Sequence, residues 1–326
     1  MNTTISILAA DIGGTTSRFA HFEAGLGKTL EMVDILSFNT ASHNISSFND
    51  LVQNFLDLKS NSFCELCNYN IVVFAVAGPV RNNKCTPPNI KWEIDLNSIK
   101  EKKCIIINDF VAQAYACLTK KIYSKTIPIK SGESDYEGTK AVIGAGTGLG
   151  HCALVYNKCS KKEEHDYIPV ASEGAHIAFP FIGEEELEFE NFATKKLNIP
   201  YLSGDLVVSG IGISLLHEFL SGQRLTPENV MRDNSRNSSA LKLFTRFYAR
   251  ACRSYALSVY ATGGIIISGG IAAKNPEVVN NNYFIQEFCN SPTQEKLLQM
   301  IPVNLNCRED IGLFGAACYA QRLCQR

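Results

Sequence analysis

The amino-acid sequence predicts an α/β protein built in two lobes. Three observations carry the prediction. Apolar runs of strand length alternate with helix-spaced segments through the first half of the chain. The strand–glycine turn–strand pattern of the opening residues returns near the midpoint, a weak internal repeat that hints at duplication. The chain has 326 residues, 45% of them hydrophobic, which suffices for two domains with their own cores.

The first pattern unit is an apolar run from Ile5 to Ala10. It ends in Asp11, Gly13, Gly14, Thr15 and Thr16, then resumes with Phe19 and Ala20. Glycines admit a ligand close to the backbone, and successive N–H groups with hydroxyls cradle anions. A carboxylate at the strand end suits a hydrated Mg²⁺. By itself the stretch serves equally as a hairpin turn with a capping Asp. Ala24–Thr29 imitates the end of a P-loop, but the glycine that motif requires is replaced by Phe22. Strand-like Met32–Leu36 follows where a helix should open, so a hairpin loop is predicted.

Phe48, Leu51, Val52, Phe55 and Leu56 have helical spacing. Ile71–Val76 reads as a buried strand closed by Ala77-Gly78-Pro79, and Pro87-Pro88 marks a loop. A short helix is expected over Leu96–Lys103. A buried strand follows at Cys104–Ile107, ends in Asn108-Asp109, and leads into a helix through Phe110, Ala114, Tyr115 and Leu118. After a polar stretch, Lys120–Lys140, the glycine turn recurs: Ala141-Val142-Ile143, then Gly144 to Gly150, then strand-like His151–Tyr156. No GxGxxG can be laid on it and no helix follows, which excludes the dinucleotide fingerprint.

Lys158–Asp166 reads as a charged loop. Glu184-Glu185-Glu186 precede a helix-spaced run, where acids suit the helix dipole better than a metal. Ser214–Leu220 reads as helix, 228–239 as loop, and Leu241–Tyr260 as a long amphipathic helix. Ile265–Ile267 forms a strand running into a third glycine turn, Ser268-Gly269-Gly270-Ile271. That turn serves equally as bare backbone for an adenosine or as a simple strand break. Gly312–Leu323 reads as a final helix.

Formal net charge is −1, which supplies no basic footprint for nucleic acid or an anionic membrane. No apolar run reaches membrane-spanning length, and the apolar residues before Asp11 are too few for a signal-peptide core. A cytoplasmic protein is expected. The 12 cysteines are scattered, and Cys64-x-x-Cys67 lacks the second pair or histidines of a zinc site. Reduced thiols packed as small apolar residues are expected.

In combination these motifs resemble the bacterial-type glucokinases, over essentially the whole chain. Asp11-Ile12-Gly13-Gly14-Thr15 is similar to the family's first phosphate motif, Gly144–Gly150 to its second, and Ile267-Ser268-Gly269-Gly270-Ile271 to its adenosine motif. Asn108-Asp109-Phe110 matches the segment that holds the catalytic Asp, and Glu173-Gly174-Ala175-His176 the sugar-contacting Glu-x-x-His. The resemblance implies the two-lobed, ribonuclease-H-like fold of actin and hexokinase, with a cleft between a small and a large α/β domain. By analogy the small domain covers residues 1–118 plus 305–326 and the large one 119–304. The implied reaction is transfer of the ATP γ-phosphoryl group to the 6-hydroxyl of D-glucose, with closure over the substrates to exclude water.

Asp109 is the expected general base, since it ends a buried strand in the crevice where α/β sheets collect ligands. An Asp there also serves as a helix N-cap, a task that Asn108 beside it can take instead. Asn108, Glu173 and His176 offer the donors and acceptors that sugar hydroxyls need; alone, His176 beside Ile177 would read as a core residue. Asn89 stands where the family has an Asn on its small-domain sugar loop, although the loop sequence differs. Asp205 stands where the family usually has a second sugar-binding Glu. It is one methylene shorter, so a weaker contact is expected, and Asp205→Glu should lower the glucose KM.

On the nucleotide side the resemblance assigns Gly13, Gly14, Thr15 and Thr16 to the outer phosphates. Gly146, Thr147 and Gly148 take the inner ones, and Gly269 and Gly270 the adenosine. Asp11 would hold Mg²⁺ through water. Mg²⁺ with ATP and no zinc are the cofactor expectations; glucose and ATP are the partners, with room for a homodimer. Relatives that use ADP or polyphosphate keep the donor open. The rivals are a kinase for mannose, fructose or an amino sugar, a sugar-sensing regulator without catalysis, and an actin-like structural protein.

Overall fold

The computed structural model describes residues 4–25, 30–59, 66–99, 103–119, 125–158, 167–232 and 238–324. Leu26–Thr29 of the P-loop-like stretch, Cys64 of the CxxC pair, and residues 159–166 and 233–237 of two expected loops lie outside them. The chain divides into one compact unit of residues 1–122 and 310–326 and another of 123–309.

The first unit is a five-stranded sheet in the order β3-β2-β1-β4-β7. Its strands are β1 (Thr4–Ile12), β2 (Thr16–Gly25), β3 (Glu31–Asn39), β4 (Ile71–Val76) and β7 (Cys104–Asn108); β5 (Lys84–Cys85) and β6 (Ile94–Asp95) pair separately. β2 and β3 run antiparallel, so the chain around the P-loop-like stretch is a hairpin. β1, β4 and β7 run parallel, which requires crossovers and buries both faces. Helix α1 (Phe48–Lys59) covers one face through Phe55 on Phe19 and Phe48 on Phe74. α2 (Asp109–Ala116) and α11 (Ile311–Cys324) cover the other, where Phe22 meets Phe314. α2 and α11 cross so closely that a Cβ on Gly315 would fall 1.6 Å from the Ala112 carbonyl. The helix expected over Leu96–Lys103 shortens to a 3₁₀ turn at Leu96–Ser98, capped by Asp95, because Ile99 turns extended.

The second unit is a six-stranded sheet in the order β11-β10-β9-β12-β13-β8. Its strands are β8 (Thr126–Lys130), β9 (Lys140–Ala145), β10 (Leu149–Tyr156), β11 (Tyr167–Ser172), β12 (Ile265–Ser268) and β13 (Val303–Asn306). β8 was hidden inside the polar stretch; with Pro128 it forms an edge strand, the position a strand proline tolerates. Because β13 pairs with β12, residues 305 and 306 belong to this unit. The chain returns to the first unit after Glu309, beyond the expected boundary.

The helices are α3 (Glu184–Leu197), α4 (Gly204–Val207), α5 (Gly210–Ser221), α6 (Pro227–Arg232), α7 (Ser239–Ser258), α8 (Gly270–Lys274), α9 (Asn282–Cys289) and α10 (Glu295–Met300). Two expectations change here. Residues 227–232 are helical, opened by Pro227 at the position where a missing N–H is tolerated. The third glycine turn is a strand-to-helix junction, with Gly269 capping α8.

The long helix α7 buries Phe244, Phe247 and Tyr248 in the core of this unit, and with them Arg250, 1% exposed. The Arg250 guanidinium bonds both carboxylate oxygens of Glu186, Glu287 Oε1 at 3.0 Å and the Pro180 carbonyl at 2.9 Å. Glu186 is therefore more than a dipole complement: Glu184 and Glu185 face solvent, while Glu186 is buried and ties α3 to α7. Arg250→Met would leave two buried carboxylates short of a partner. Its expected cost is about 3 kcal/mol, read as a lower urea midpoint at unchanged slope.

Candidate active site

In the first unit, β1 ends at Ile12 and the chain turns through Gly13-Gly14-Thr15 into β2, closed by Gly13 N–H to the Thr16 carbonyl at 3.1 Å. Thr15 and Thr16 are exposed. Asn89 packs on this turn: a Cβ on Gly14 would stand 2.7 Å from the Asn89 Cβ. Asp11 sits on the β1 face covered by α11, where a Cβ on Gly312 would meet its carboxylate oxygens at 2.9 and 3.3 Å. The residue keeps some exposure, but its carboxyl is enclosed, and burial pushes its pKa up to about 6 against the pull of Arg18 opposite it on β2.

At the end of β7, Asn108 caps α2. Its Oδ1 accepts from the N–H groups of Phe110 at 2.9 Å and Val111 at 3.2 Å, and its Nδ2 donates to the Gly78 carbonyl at 3.1 Å. The capping task thus falls to Asn108, and the Asp109 carboxylate lies at the helix start, accepting from Phe110 N–H at 3.0 Å. That placement puts an acid in the positive field of a helix N-terminus.

In the second unit the two other glycine motifs lie side by side, because β9 and β12 are parallel neighbours. A Cβ on Gly144 would fall 1.5 Å from the Ser268 carbonyl oxygen, and one on Gly269 2.6 Å from that of Ala145. The Ala145 N–H donates to the hydroxyl of Tyr248, a fully buried phenol that burial keeps protonated. Gly146, Thr147 and Gly148 follow. The Gly146 carbonyl accepts from Gly210 N–H at 3.1 Å, so the loop rests on the N-terminus of α5, an anion-favouring position.

Glu173 precedes, and His176 ends, a single 3₁₀ turn at Gly174–His176. Their side chains approach to 3.4 Å, and both are more than half exposed. α4 lies between this turn and the glycine loop. Gly204 N–H donates to the Ile177 carbonyl, and the Asp205 Oδ1 accepts from Leu149 N–H at 2.7 Å. The carboxylate expected only at a sugar hydroxyl therefore has a backbone partner, and Gly148 must be bare to let it pass: a Cβ there would meet Asp205 Oδ1 at 2.2 Å. Within this unit the structure brings together Gly146, Thr147, Gly148, Asp205, Glu173, His176, Gly269 and Gly270. Within the other it gathers Asn89 with Gly13, Gly14, Thr15 and Thr16, and sets Asp11 under α11. Sequence reasoning missed Tyr248 and the start of α5. The Ser209-Gly210 pair, a Ser followed by a helical run, was a capping signal for the second.

As to a metal, no three His, Cys, Asp or Glu side chains cluster as a metal site among the described residues. Asp11 is a hard oxygen donor whose enclosed charge a cation would relieve, which fits Mg²⁺ held through one carboxylate, water and phosphate oxygens.

Two α/β units, glycine turns at strand ends and an exposed Glu–His pair are the parts of a sugar kinase of the hexokinase and actin-like fold. Residues 8–323 match the family model described as Glucokinase. The chain is 29% identical to a glucokinase of Nostoc sp., covering 97% of this chain and 99% of that one, and 28% identical to one of Campylobacter jejuni subsp. doylei, covering 95% and 92%. The crystal structure of a glucokinase from an Antarctic psychrotroph superposes with a TM-score of 0.79 at 25% identity, covering 97% of this chain and 99% of that one. A glucokinase from Balamuthia mandrillaris, solved in complex with glucose, shares the fold at TM-score 0.78 and 18% identity, covering 98% and 94%. The chain belongs to the glucokinase family.

The glycines separate by experiment. Gly144→Ala should fail to give soluble protein. Gly146→Ala, with nothing within 4 Å of the added methyl, should fold with stability changed by less than about 0.5 kcal/mol and show a raised ATP KM. Asp11→Asn should be inactive yet more stable at pH 7 by about 1–3 kcal/mol. A raised carboxyl pKa lowers stability as pH climbs from about 4 to about 6, so the two proteins should converge near pH 4 in urea titrations.

Proposed function

We propose that this protein is an ATP-dependent glucokinase, phosphorylating D-glucose at the 6-hydroxyl, with Asp109 as general base. The observation that carries the reading is the division of roles at the end of β7. Asn108 spends its carbonyl oxygen on the helix cap, and the neighbouring carboxylate stands at the helix start, where a base for a sugar hydroxyl belongs.

In the proposed step the 6-hydroxyl proton passes to the Asp109 carboxylate as O6 bonds to the γ-phosphorus; the bond from that phosphorus to the β-bridging oxygen breaks, and ADP leaves. Glu173 accepts hydrogen bonds from sugar hydroxyls, His176 donates or accepts, and Asn108 donates through the Nδ2 hydrogen that the Gly78 carbonyl does not take. Asp205 and Asn89 complete the sugar contacts; the second oxygen of Asp205 is the one for the sugar, since the first holds Leu149 N–H. Gly13, Gly14, Thr15 and Thr16 meet the outer phosphates, Gly146, Thr147 and Gly148 the inner ones, and Gly269 and Gly270 the adenosine. Mg²⁺, held near Asp11, would supply charge neutralisation on the transferring phosphates. A cytosolic location agrees with the scattered spacing of the 12 cysteines, which suits reduced thiols used as small apolar residues.

A coupled assay with ATP and a panel of hexoses tests the reading: glucose should show the highest kcat/KM, above mannose, fructose and glucosamine. Asp109→Ala should lower kcat by about 10²–10⁴ while nucleotide still binds. Near-normal turnover in that variant would remove Asp109 as the base.

A further inference from the structure

His151, on β10, is a buried polar side chain that phosphoryl transfer leaves without a task. It is 6% exposed, and neither ring nitrogen has a hydrogen-bond partner among the described residues. Buried polar groups are almost always bonded, so an orphaned one calls for an explanation. The ring lies flat on Tyr255, with centroids 4.2 Å apart and planes inclined by 14°. Burial, and after it the charge of His176, push its pKa down to about 4. At neutral pH the ring is therefore uncharged, with one nitrogen a donor and the other an acceptor.

The neighbours locate what the nitrogens face. Ser172 lies directly across the β10/β11 pair from His151, and its hydroxyl accepts from Gly174 N–H at 3.1 Å. A Cβ on Gly174 would stand 3.4 Å from His151 Nδ1. The nitrogen thus looks at the underside of the turn whose outer side carries Glu173 and His176. One bare glycine separates the two. Phenylalanine would stack on Tyr255 as well as histidine does; the two nitrogens are what it lacks.

We propose that His151 is a positioning residue for hexose binding: in the sugar-bound protein its ring nitrogens bond the Glu173–His176 turn and hold both side chains toward the sugar hydroxyls. This rests on the reading of Glu173 and His176 as sugar contacts. In the proposal His151 touches no substrate atom and takes no part in proton transfer. Its effect falls on affinity for the sugar, whereas nucleotide affinity and the chemical step are left to other groups.

Steady-state kinetics of the full-length protein decide it. His151→Phe should raise the glucose KM about five- to tenfold, with kcat and the ATP KM within about twofold of wild type, the pattern of lost uniform binding. His151→Gln, which restores an amide donor and acceptor, should recover part of the loss. Glu173→Gln is measured beside them. If it leaves the glucose KM unchanged, the sugar assignment of the turn fails. If it raises the glucose KM and His151→Phe does not, the positioning role alone is overturned. An equal rise of the ATP KM in His151→Phe also overturns it. Should that variant prove insoluble, ¹⁵N-imidazole spectra of the wild-type protein decide: glucose should shift the nitrogens of the ring that stays neutral at pH 5, and no shift overturns the proposal.

Discussion

Backbone touches backbone where β9 and β12 end, and most of the second unit's functional geometry depends on that contact. Gly144 and Gly269 carry no side chain, so the Ser268 carbonyl and the Ala145 peptide close in to distances at which any Cβ would collide. The strands deliver two glycine segments to the same sheet end, side by side. Tyr248 then bonds the Ala145 N–H from below, and Gly210 N–H bonds the Gly146 carbonyl from the flank. The loop between is held through its backbone.

Charge is placed in the molecule with two different outcomes. Arg250, Glu186 and Glu287 are buried together and satisfy one another, so they cross-brace α3, α7 and α9. Such a network is strongly destabilising to break, although intact it is worth no more than a well-packed apolar cluster. Asp11 is enclosed, Arg18 across the strand pair offsets part of its charge, and burial weakens its acidity. The first arrangement is structural. The second keeps a carboxylate at neutral pH against the cost of its burial.

Adjacent polar residues divide their work at two other places. At the end of β7, Asn108 satisfies the helix and its neighbour Asp109 carries the acid. At α4, Asp205 fastens the glycine loop with one oxygen, while α4 also receives the carbonyl that follows the Glu173–His176 turn. One short helix therefore touches both the Glu173–His176 turn and the strand that leaves the Gly146–Gly148 loop.

The strands at Ile71–Val76 and Cys104–Asn108 were legible in the chain because parallel strands buried on both faces are apolar throughout. The glycine turns were legible because few other residues fit them. Asn108 as the cap beside Asp109 could be foreseen, since capping is local. β8 was not legible: a five-residue edge strand with Pro128 has no strong alternation, and only pairing with β13 makes it a strand. Nor was the helix at Pro227–Arg232, which is too short for periodicity to register. The sequence by itself determined which residues carry acids, hydroxyls and bare backbone at strand ends, since these are local properties of side chains. Only the tertiary structure decided that Gly144 faces Ser268, that Glu186 is buried on Arg250, that Asp205 reaches Leu149 and that His151 lies under Gly174. Each of these joins residues distant in the chain, and their partnership follows from packing that no local window contains.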